Sequence, residues 1–309
     1  MEALAPIVLF TYNRLKNTRE TVSCLLANSE AGASDLIVYS DAPKNEKAAE
    51  SVQAVRDYLH TVTGFKSVTL VEREVNYGLV RNITSGVTEV IGRYGRVIVL
   101  EDDHSVSPYF LKYMNEGLER FAGREDIACI HGYVYPHKDP LPEAFLVKGA
   151  DCWGWATWER AWKIFDMDAA RMYNEIVRQG RGREFDFNGS YPYMKMLKDQ
   201  AAGTKNSWAI CWYASAFLQD MYTVYPDRPM VRLNGLSDGG EHDVVSPYML
   251  KFEVETSTRP VDWAAGQTDA ESQAGRRAFE QFFLSLKSWK QRSFDFVINK
   301  LRYTFGKWK

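Results

Sequence analysis

Four short apolar runs in the first hundred residues, none broken by a charge, restrict what this chain can fold into more than any other feature. They are Pro6-Ile7-Val8-Leu9-Phe10, Leu36-Ile37-Val38-Tyr39, Val68-Thr69-Leu70-Val71 and Val97-Ile98-Val99-Leu100. A strand with one wet face alternates apolar and polar residues, whereas a run without alternation belongs to a strand covered on both faces. Amphipathic segments separate the runs: one reaching about Leu26, one from about Asn45 to Thr61, one from about Val80 to Gly92. Buried strands alternating with helices predict βαβ units and a mostly parallel α/β sheet flanked by helices.

In such a sheet ligands bind beyond the carboxyl ends of the strands. Each run here ends in, or soon meets, a polar cluster: Thr11-Tyr12-Asn13-Arg14, Ser40-Asp41-Ala42-Pro43, Asn76-Tyr77-Gly78 and Glu101-Asp102-Asp103, after which Pro108 opens another helix. These clusters should share one crevice. Three adjacent acids repel one another and are costly to bury without compensation. A divalent Mn²⁺ or Mg²⁺ would relieve the repulsion, because such ions take carboxylate oxygens together with those of a bound phosphate. A solvated strand-to-loop turn is the plainer alternative. Asp41 can accept hydrogen bonds from a base or ribose, or it can cap the turn into the next helix. Arg14 and Arg81 follow strand-end loops, where a guanidinium can meet phosphate oxygens or a base edge.

After about residue 130 the pattern loosens. Asp151-Cys152-Trp153-Gly154-Trp155-Ala156-Thr157-Trp158 looks like a Trp-rich loop entering a helix, and Trp153, Trp155 and Trp158 offer a stacking platform for a sugar or core packing. The 9 Trp, 17 Tyr and 16 Phe allow either use. Ser207 to Phe217 predicts a buried helix and Tyr222 to Tyr225 a short strand. Gly235 to Asp243 is a Gly- and acid-rich loop containing His242, which could fold over a metal-diphosphate as a second ligand. Gly266 to Gly275 reads as a polar linker. From Lys287 to Lys309 seven Lys and Arg face one acid, Asp295, with aromatic and aliphatic residues between them. That composition fits an anionic membrane surface, and equally a terminal helix packed on its own domain or on a subunit partner.

Charge and cysteines exclude other classes. A net charge of -2 gives no reason to expect nucleic acid. Cys24, Cys129, Cys152 and Cys211 are far apart, which argues against a zinc ribbon, a redox dithiol or a disulfide framework. No basic segment precedes the first apolar run, and no stretch reaches the roughly 18 apolar residues of a membrane span, so a cytoplasmic chain is expected.

The run Pro6 to Arg14, the strand-end Asp41, Asn76 to Leu79 with Arg81-Asn82-Ile83, and Val97 to Asp103 resemble glycosyltransferases of the GT-A (Rossmann-like) fold. The similarity is to the family 2-like group and to bacterial members related to N-acetylglucosaminyltransferase I. Gly154 to Trp158, Ser207 to Trp212 and the Gly-Gly-Glu-His242 loop look like segments of the same group. The resemblance implies a glycosyltransferase domain over residues 1–245, with a nucleotide-sugar half (1–130) and an acceptor half (131–245). Residues 246–309 would be a C-terminal extension with a basic amphipathic helix. It implies an inverting transferase that uses Mn²⁺ or Mg²⁺. The donor would be a nucleotide-diphosphate sugar, with UDP-N-acetylglucosamine the best match. The acceptor would be a cell-envelope glycan: lipopolysaccharide, capsule or a lipid-linked saccharide.

Carried over residue by residue, Asp103 and His242 would bind metal, Asp102 would contact ribose or the metal shell, and Glu101 the donor sugar. Thr11, Tyr12, Arg14, Asp41 and Arg81 would line the nucleotide pocket, with Trp153 and Trp155 near the sugar. One departure concerns the base. Related enzymes carry an Asp near the segment that aligns with Asn206-Ser207-Trp208, and Asn206 cannot take a proton. Asp151 is the favoured substitute and Asp199 the second. Loss of the base would instead leave a glycan- or membrane-binding protein on a transferase fold. A nucleotidyltransferase fits less well, since Thr11 to Arg14 lacks the glycines of a phosphate loop.

Overall fold

The structure, a computed structural model, describes residues 3–234 and 249–287. Strands β1 (Ile7–Thr11), β2 (Asp35–Ser40), β3 (Ser67–Glu72) and β4 (Arg96–Glu101) run parallel in the order β4-β1-β2-β3. Helices α1 (Leu15–Leu26), α2 (Glu46–Leu59) and α3 (Gly78–Tyr94) connect them. All five residues of β1 are buried, as unbroken apolar runs require. At the outer edge β3 is only half covered, so Val68 to Val71 is less enclosed than its composition suggests. Local chemistry sets the helix ends. The Asn45 side chain accepts a hydrogen bond from the Ala48 amide at the head of α2, and Gly95, at φ 74°, closes α3 in the left-handed conformation that glycine adopts without penalty.

The second half continues the sheet. It contains β5 (His104–Val106), α4 (Phe110–Arg120), β6 (Ile127–His131), β7 (Ala144–Lys148), β8 (Trp155–Trp158), α5 (Glu159–Trp162), α6 (Ala169–Arg178), α7 (Gly182–Phe185), α8 (Tyr193–Ala201) and α9 (Trp208–Leu218). These are followed by β9 (Tyr222–Pro226), β10 (Val231–Leu233), β11 (Gln267–Glu271) and α10 (Gln273–Leu286). Among the described residues one mixed sheet of nine strands has the order β11-β7-β9-β6-β8-β4-β1-β2-β3, while β5 and β10 pair separately. The α/β layout expected from the sequence is present. So are the buried helix α9, capped by the Ser207 hydroxyl, and the strand β9.

Two segments differ from expectation. Trp155 to Trp158 is strand, not the approach to a helix, and lies antiparallel between β4 and β6. Its four residues are buried, and Trp155, 1% exposed, packs against Trp162, Trp208 and Trp212 with ring centroids 5.7 to 5.9 Å apart. Trp155 is therefore core, with its ring enclosed by other indoles, and is not a sugar platform. Gly266 to Gly275 is not a linker either. β11 pairs with β7, and α10, capped by Ser272, buries Phe279, Phe282 and Phe283 in a core shared with α6, α8 and α9. The polar surface of β11 reflects its position at the sheet edge. Among the described residues no helix is long and apolar enough to cross a membrane. The basic segment 288–309 lies outside the described residues.

Trp155→Ala should cost about 3–5 kcal/mol of stability, as large aromatic truncations in cores do. Urea unfolding measures this, and a midpoint equal to the parent's would contradict the core assignment.

Candidate active site

β1, β2, β4, β6 and β9 all point their carboxyl ends the same way, because β8 runs against both β4 and β6 while β9 runs with β6. The antiparallel course of β8 brings the preceding loop, Asp151 to Gly154, to the carboxyl end of β4, where Trp155 pairs with Val99. Gly154 allows the approach. At φ 57° a Cβ there would lie 2.5 Å from Val231 and 3.2 Å from Leu100. Strand-end residues from Asp41 across to Tyr225 thus line one edge of the sheet.

The acid turn is built around Asp102. Its side chain is 3% exposed, and both carboxylate oxygens are engaged. One accepts the Tyr12 backbone amide at 3.2 Å and the other an Arg14 guanidinium nitrogen. Arg14 also donates to Asp103 Oδ2 at 3.1 Å. Burial opposes the Arg14 charge, but the attraction of Asp102 and Asp103 outweighs it and raises the pKa. Burial pushes the Asp102 carboxyl up to about 6, against the pull of Arg14. Asp102 is therefore buried against Arg14 and the Tyr12 amide, closed to a ribose or a metal by burial, and the contact expected of it changes to that of an anchor for Arg14 and Tyr12.

Asp103 is more open, with a side chain 25% exposed. Its Oδ1 lies 3.6 Å from His104 Nε2. The Glu101 amide donates to His104 Nδ1 at 3.2 Å, which puts the neutral ring's proton on Nε2, facing Asp103. Burial holds that histidine down at about 4 despite Asp103, so it is uncharged near neutrality. Among the described residues no three His, Cys, Asp or Glu side chains converge as a metal cluster. A cation bound with a diphosphate needs only one or two protein carboxylates. Asp103, with Oδ1 unclaimed by Arg14, suits that part and Asp102 does not. His242 lies outside the described residues. Asn234, the last described residue before that segment, donates its amide to the Asp103 carbonyl at 2.7 Å.

Around the first strand ends the other expected residues take definite positions. The Asp41 carboxylate accepts four donors: the amides of Ala42, Tyr77 and Gly78, and the Asn76 side chain. A carboxylate has about four acceptor sites, so Asp41 is the anchor of the turn that starts α3, not an open acceptor for a base or ribose. On that turn Arg81, exposed, lies 3.8 Å over the Tyr77 ring, with Arg73 at 4.6 Å. Tyr12, half-buried, accepts the Lys44 amide on its hydroxyl. The Thr11 hydroxyl is buried and has no hydrogen-bond partner among the described residues.

Beyond β4 the chemistry changes from charge to hydroxyls and rings. Asp151 Oδ2 accepts the hydroxyls of Tyr135 at 3.0 Å and Tyr225 at 3.2 Å, and Oδ1 accepts the Cys152 amide at 2.9 Å. Burial, reinforced by Asp151, lifts both phenols far above their ordinary range and keeps them donors. His131, fully buried at the end of β6, accepts the Trp153 amide on Nε2 at 2.9 Å, and its Nδ1 donates to the Tyr133 carbonyl at 2.8 Å. Trp153 packs edge-on against Tyr133 and Phe252. His131, Tyr135 and Tyr225 were not expected. His131 follows the apolar run Ile127 to Ile130 as Glu101 follows Val97 to Leu100, a signal present in the sequence. The tyrosines carry none. Asp199 pairs with Lys195 at 2.6 Å along α8, a surface ion pair.

Residues 7–158 match the model of the family described as Glycosyl transferase family 2. The matched span runs from β1 to β8 and includes the acid turn and the 151–154 loop. No curated protein matches the chain. Among solved structures it is similar to S. aureus TarS 1-349, with 12% identity, 75% of this chain and 60% of that one covered, and a TM-score of 0.39. It is similar to a further structure of S. aureus TarS, with 14% identity, 48% and 25% covered, and a TM-score of 0.32. The mannosyltransferase PcManGT from Pyrobaculum calidifontis, in complex with GDP-Man and Mn²⁺, has 13% identity, 43% and 36% covered, and a TM-score of 0.33. The chain spans between 25% and 60% of the length of these structures.

The buried acid gives a pH test. An Asp raised in the folded state stabilises the protein most below its unfolded pKa, and that contribution is lost as pH rises through about 6. Relative to Asp102→Asn, the parent should lose up to about 3 kcal/mol between pH 4 and 7.5 at 1.36 kcal/mol per unit. Unfolding both proteins in EDTA at the two pH values checks this, and parallel pH profiles would contradict it.

Proposed function

We propose that this chain, whose residues 7–158 match the family 2 glycosyltransferase model, is an inverting, cation-assisted glycosyltransferase. In this reading it transfers a sugar from a nucleotide-diphosphate donor, a UDP-sugar and in the first instance UDP-N-acetylglucosamine, to a cell-envelope glycan. The donor and acceptor classes rest on the family resemblance. The observation that carries the reading is the acid turn at the end of β4, with Asp102 buried and braced while Asp103 is presented at the surface.

The residues divide the work. Asp103 would hold the cation, which as a Lewis acid offsets the charge that develops on the departing diphosphate. Arg14 and Arg81 would face the diphosphate and nucleotide, and the Tyr77 ring the base. Glu101, at the last position of β4, would face the donor sugar. The acceptor hydroxyl attacks the anomeric carbon as the bond to the diphosphate breaks, and its proton passes to a carboxylate. Asp151 is the assigned base. It lies beside β4's carboxyl end, and two phenols and an amide hold it while leaving one of its roughly four lone-pair positions unused. His242 is assigned as a second cation ligand, and the basic segment 287–309 as a contact with a membrane surface that carries a lipid-linked acceptor.

A screen of UDP-, GDP- and dTDP-sugars with Mn²⁺, read by free nucleoside diphosphate, tests the reading. Turnover of one donor class is expected, and no release from any of them with or without acceptor would sink it. Asp151→Asn should lower kcat by about 10²–10⁴, the range of a lost general base, with donor KM little changed. If Asp199→Asn has that effect and Asp151→Asn does not, the base is misassigned. Asp103→Asn should remove Mn²⁺-dependent turnover while the far-UV circular dichroism stays unchanged.

A further inference from the structure

The acid turn already contains a cation. Arg14 reaches Asp102 with one guanidinium nitrogen and Asp103 Oδ2 with the other, the latter at 3.1 Å. Its backbone is pinned as well. Its carbonyl accepts both the amide and the hydroxyl of Thr18 at 2.9 Å at the head of α1, and two residues away the Tyr12 amide is fixed on the same Asp102. The backbone of Arg14 is thus fixed, and two carboxylates hold its guanidinium.

We infer that Arg14 makes cation binding at Asp103 conditional on the donor diphosphate. The inference rests on the proposed reading of Asp103 as a cation ligand. A divalent ion arriving alone at Oδ1 shares one carboxylate with a guanidinium on Oδ2, and the Nε2–H of His104 faces the same oxygen from 3.6 Å. Like charges at such separations in a part-buried turn repel strongly. Asp102 gives no relief, because its carboxylate is buried behind Arg14 and the Tyr12 amide. A diphosphate carries the negative charge that lets guanidinium and divalent ion occupy the same turn, and guanidinium pairs well with phosphate oxygens. Arg14 therefore keeps the free enzyme poor in metal and couples the two ligands. By linkage, each strengthens the other by the same factor.

The test is Mn²⁺ binding to the full chain, followed by water proton relaxation with and without UDP, GDP or dTDP. The parent should bind Mn²⁺ weakly alone and more tightly with one nucleotide. Arg14→Gln should bind Mn²⁺ alone about tenfold more tightly than the parent, a gain of about 1.4 kcal/mol. Its coupling to the nucleotide should shrink by a similar factor, and Arg14→Lys should stay near the parent. Because Arg14→Gln strands the buried Asp102 charge, the double variant Arg14→Gln, Asp102→Asn removes both partners and carries the same expectation. Variants that bind Mn²⁺ alone no better than a parent showing nucleotide-dependent binding would overturn the inference. If the parent binds no Mn²⁺ even with all three nucleotides, the cation assignment to Asp103 fails and the inference falls with it.

Discussion

β8 pairs with β4 from Arg96↔Trp158 to Val99↔Trp155 on one side and with β6 on the other, and both halves of the molecule hang on that reversed strand. Four parallel strands alone would carry the nucleotide side of a site and little else. Inserting one strand against the direction of its neighbours extends the sheet and turns the 151–154 loop over the end of β4. The indole core of Trp155, Trp162, Trp208 and Trp212 fixes β8 to α5 and α9. Asp151, the proposed base, is therefore positioned by packing that begins only a few residues away from it.

The second constraint is electrostatic. A carboxylate buried as deeply as Asp102 must be compensated, and among the described residues the compensation comes from Arg14 and the Tyr12 amide. That pairing ties the start of α1 to the end of β4, just as Asp41 ties the end of β2 to the start of α3. Two of the acids most suggestive of ligand binding are thus occupied in holding strand ends to helix starts. Asp103, one residue on, is partly exposed where the chain reverses into β5, and it is the acid of this turn to which the proposed reading gives the cation.

The parallel half of the fold was legible because a strand buried on both faces leaves an uninterrupted apolar run, and β1, β2 and β4 carry one each. The strand-end rule also led to Asp41, Glu101, Asp102 and Asp103. It could not separate anchors from ligands, since that depends on which amides and guanidinium fall opposite each oxygen. Trp155 was misleading for a related reason: an indole flanked by Gly154 and Ala156 looks the same in sequence whether it meets a sugar or three other indoles. β11 was hidden by its place at the sheet edge, where polar residues such as Gln267 and Asp269 are tolerated. Tyr135 and Tyr225 lie on either side of Asp151 only in three dimensions.

The two sides of the site differ in kind, and the difference matches the charges of the proposed reaction. After β1 and β4 lie Arg14 and a carboxylate suited to a hard cation, and in the first turn of α3 lies Arg81. Around Asp151, beside the ends of β6 and β9, lie phenols, an uncharged imidazole and rings, which suit a neutral hydroxyl acceptor. A transfer that leaves a charged diphosphate on one side and takes a proton from a hydroxyl on the other needs that asymmetry. Glu101 and the 151–154 loop meet at the boundary, where the anomeric carbon would have to lie. The sheet order that puts β8 next to β4 is what brings the 151–154 loop beside the acid turn.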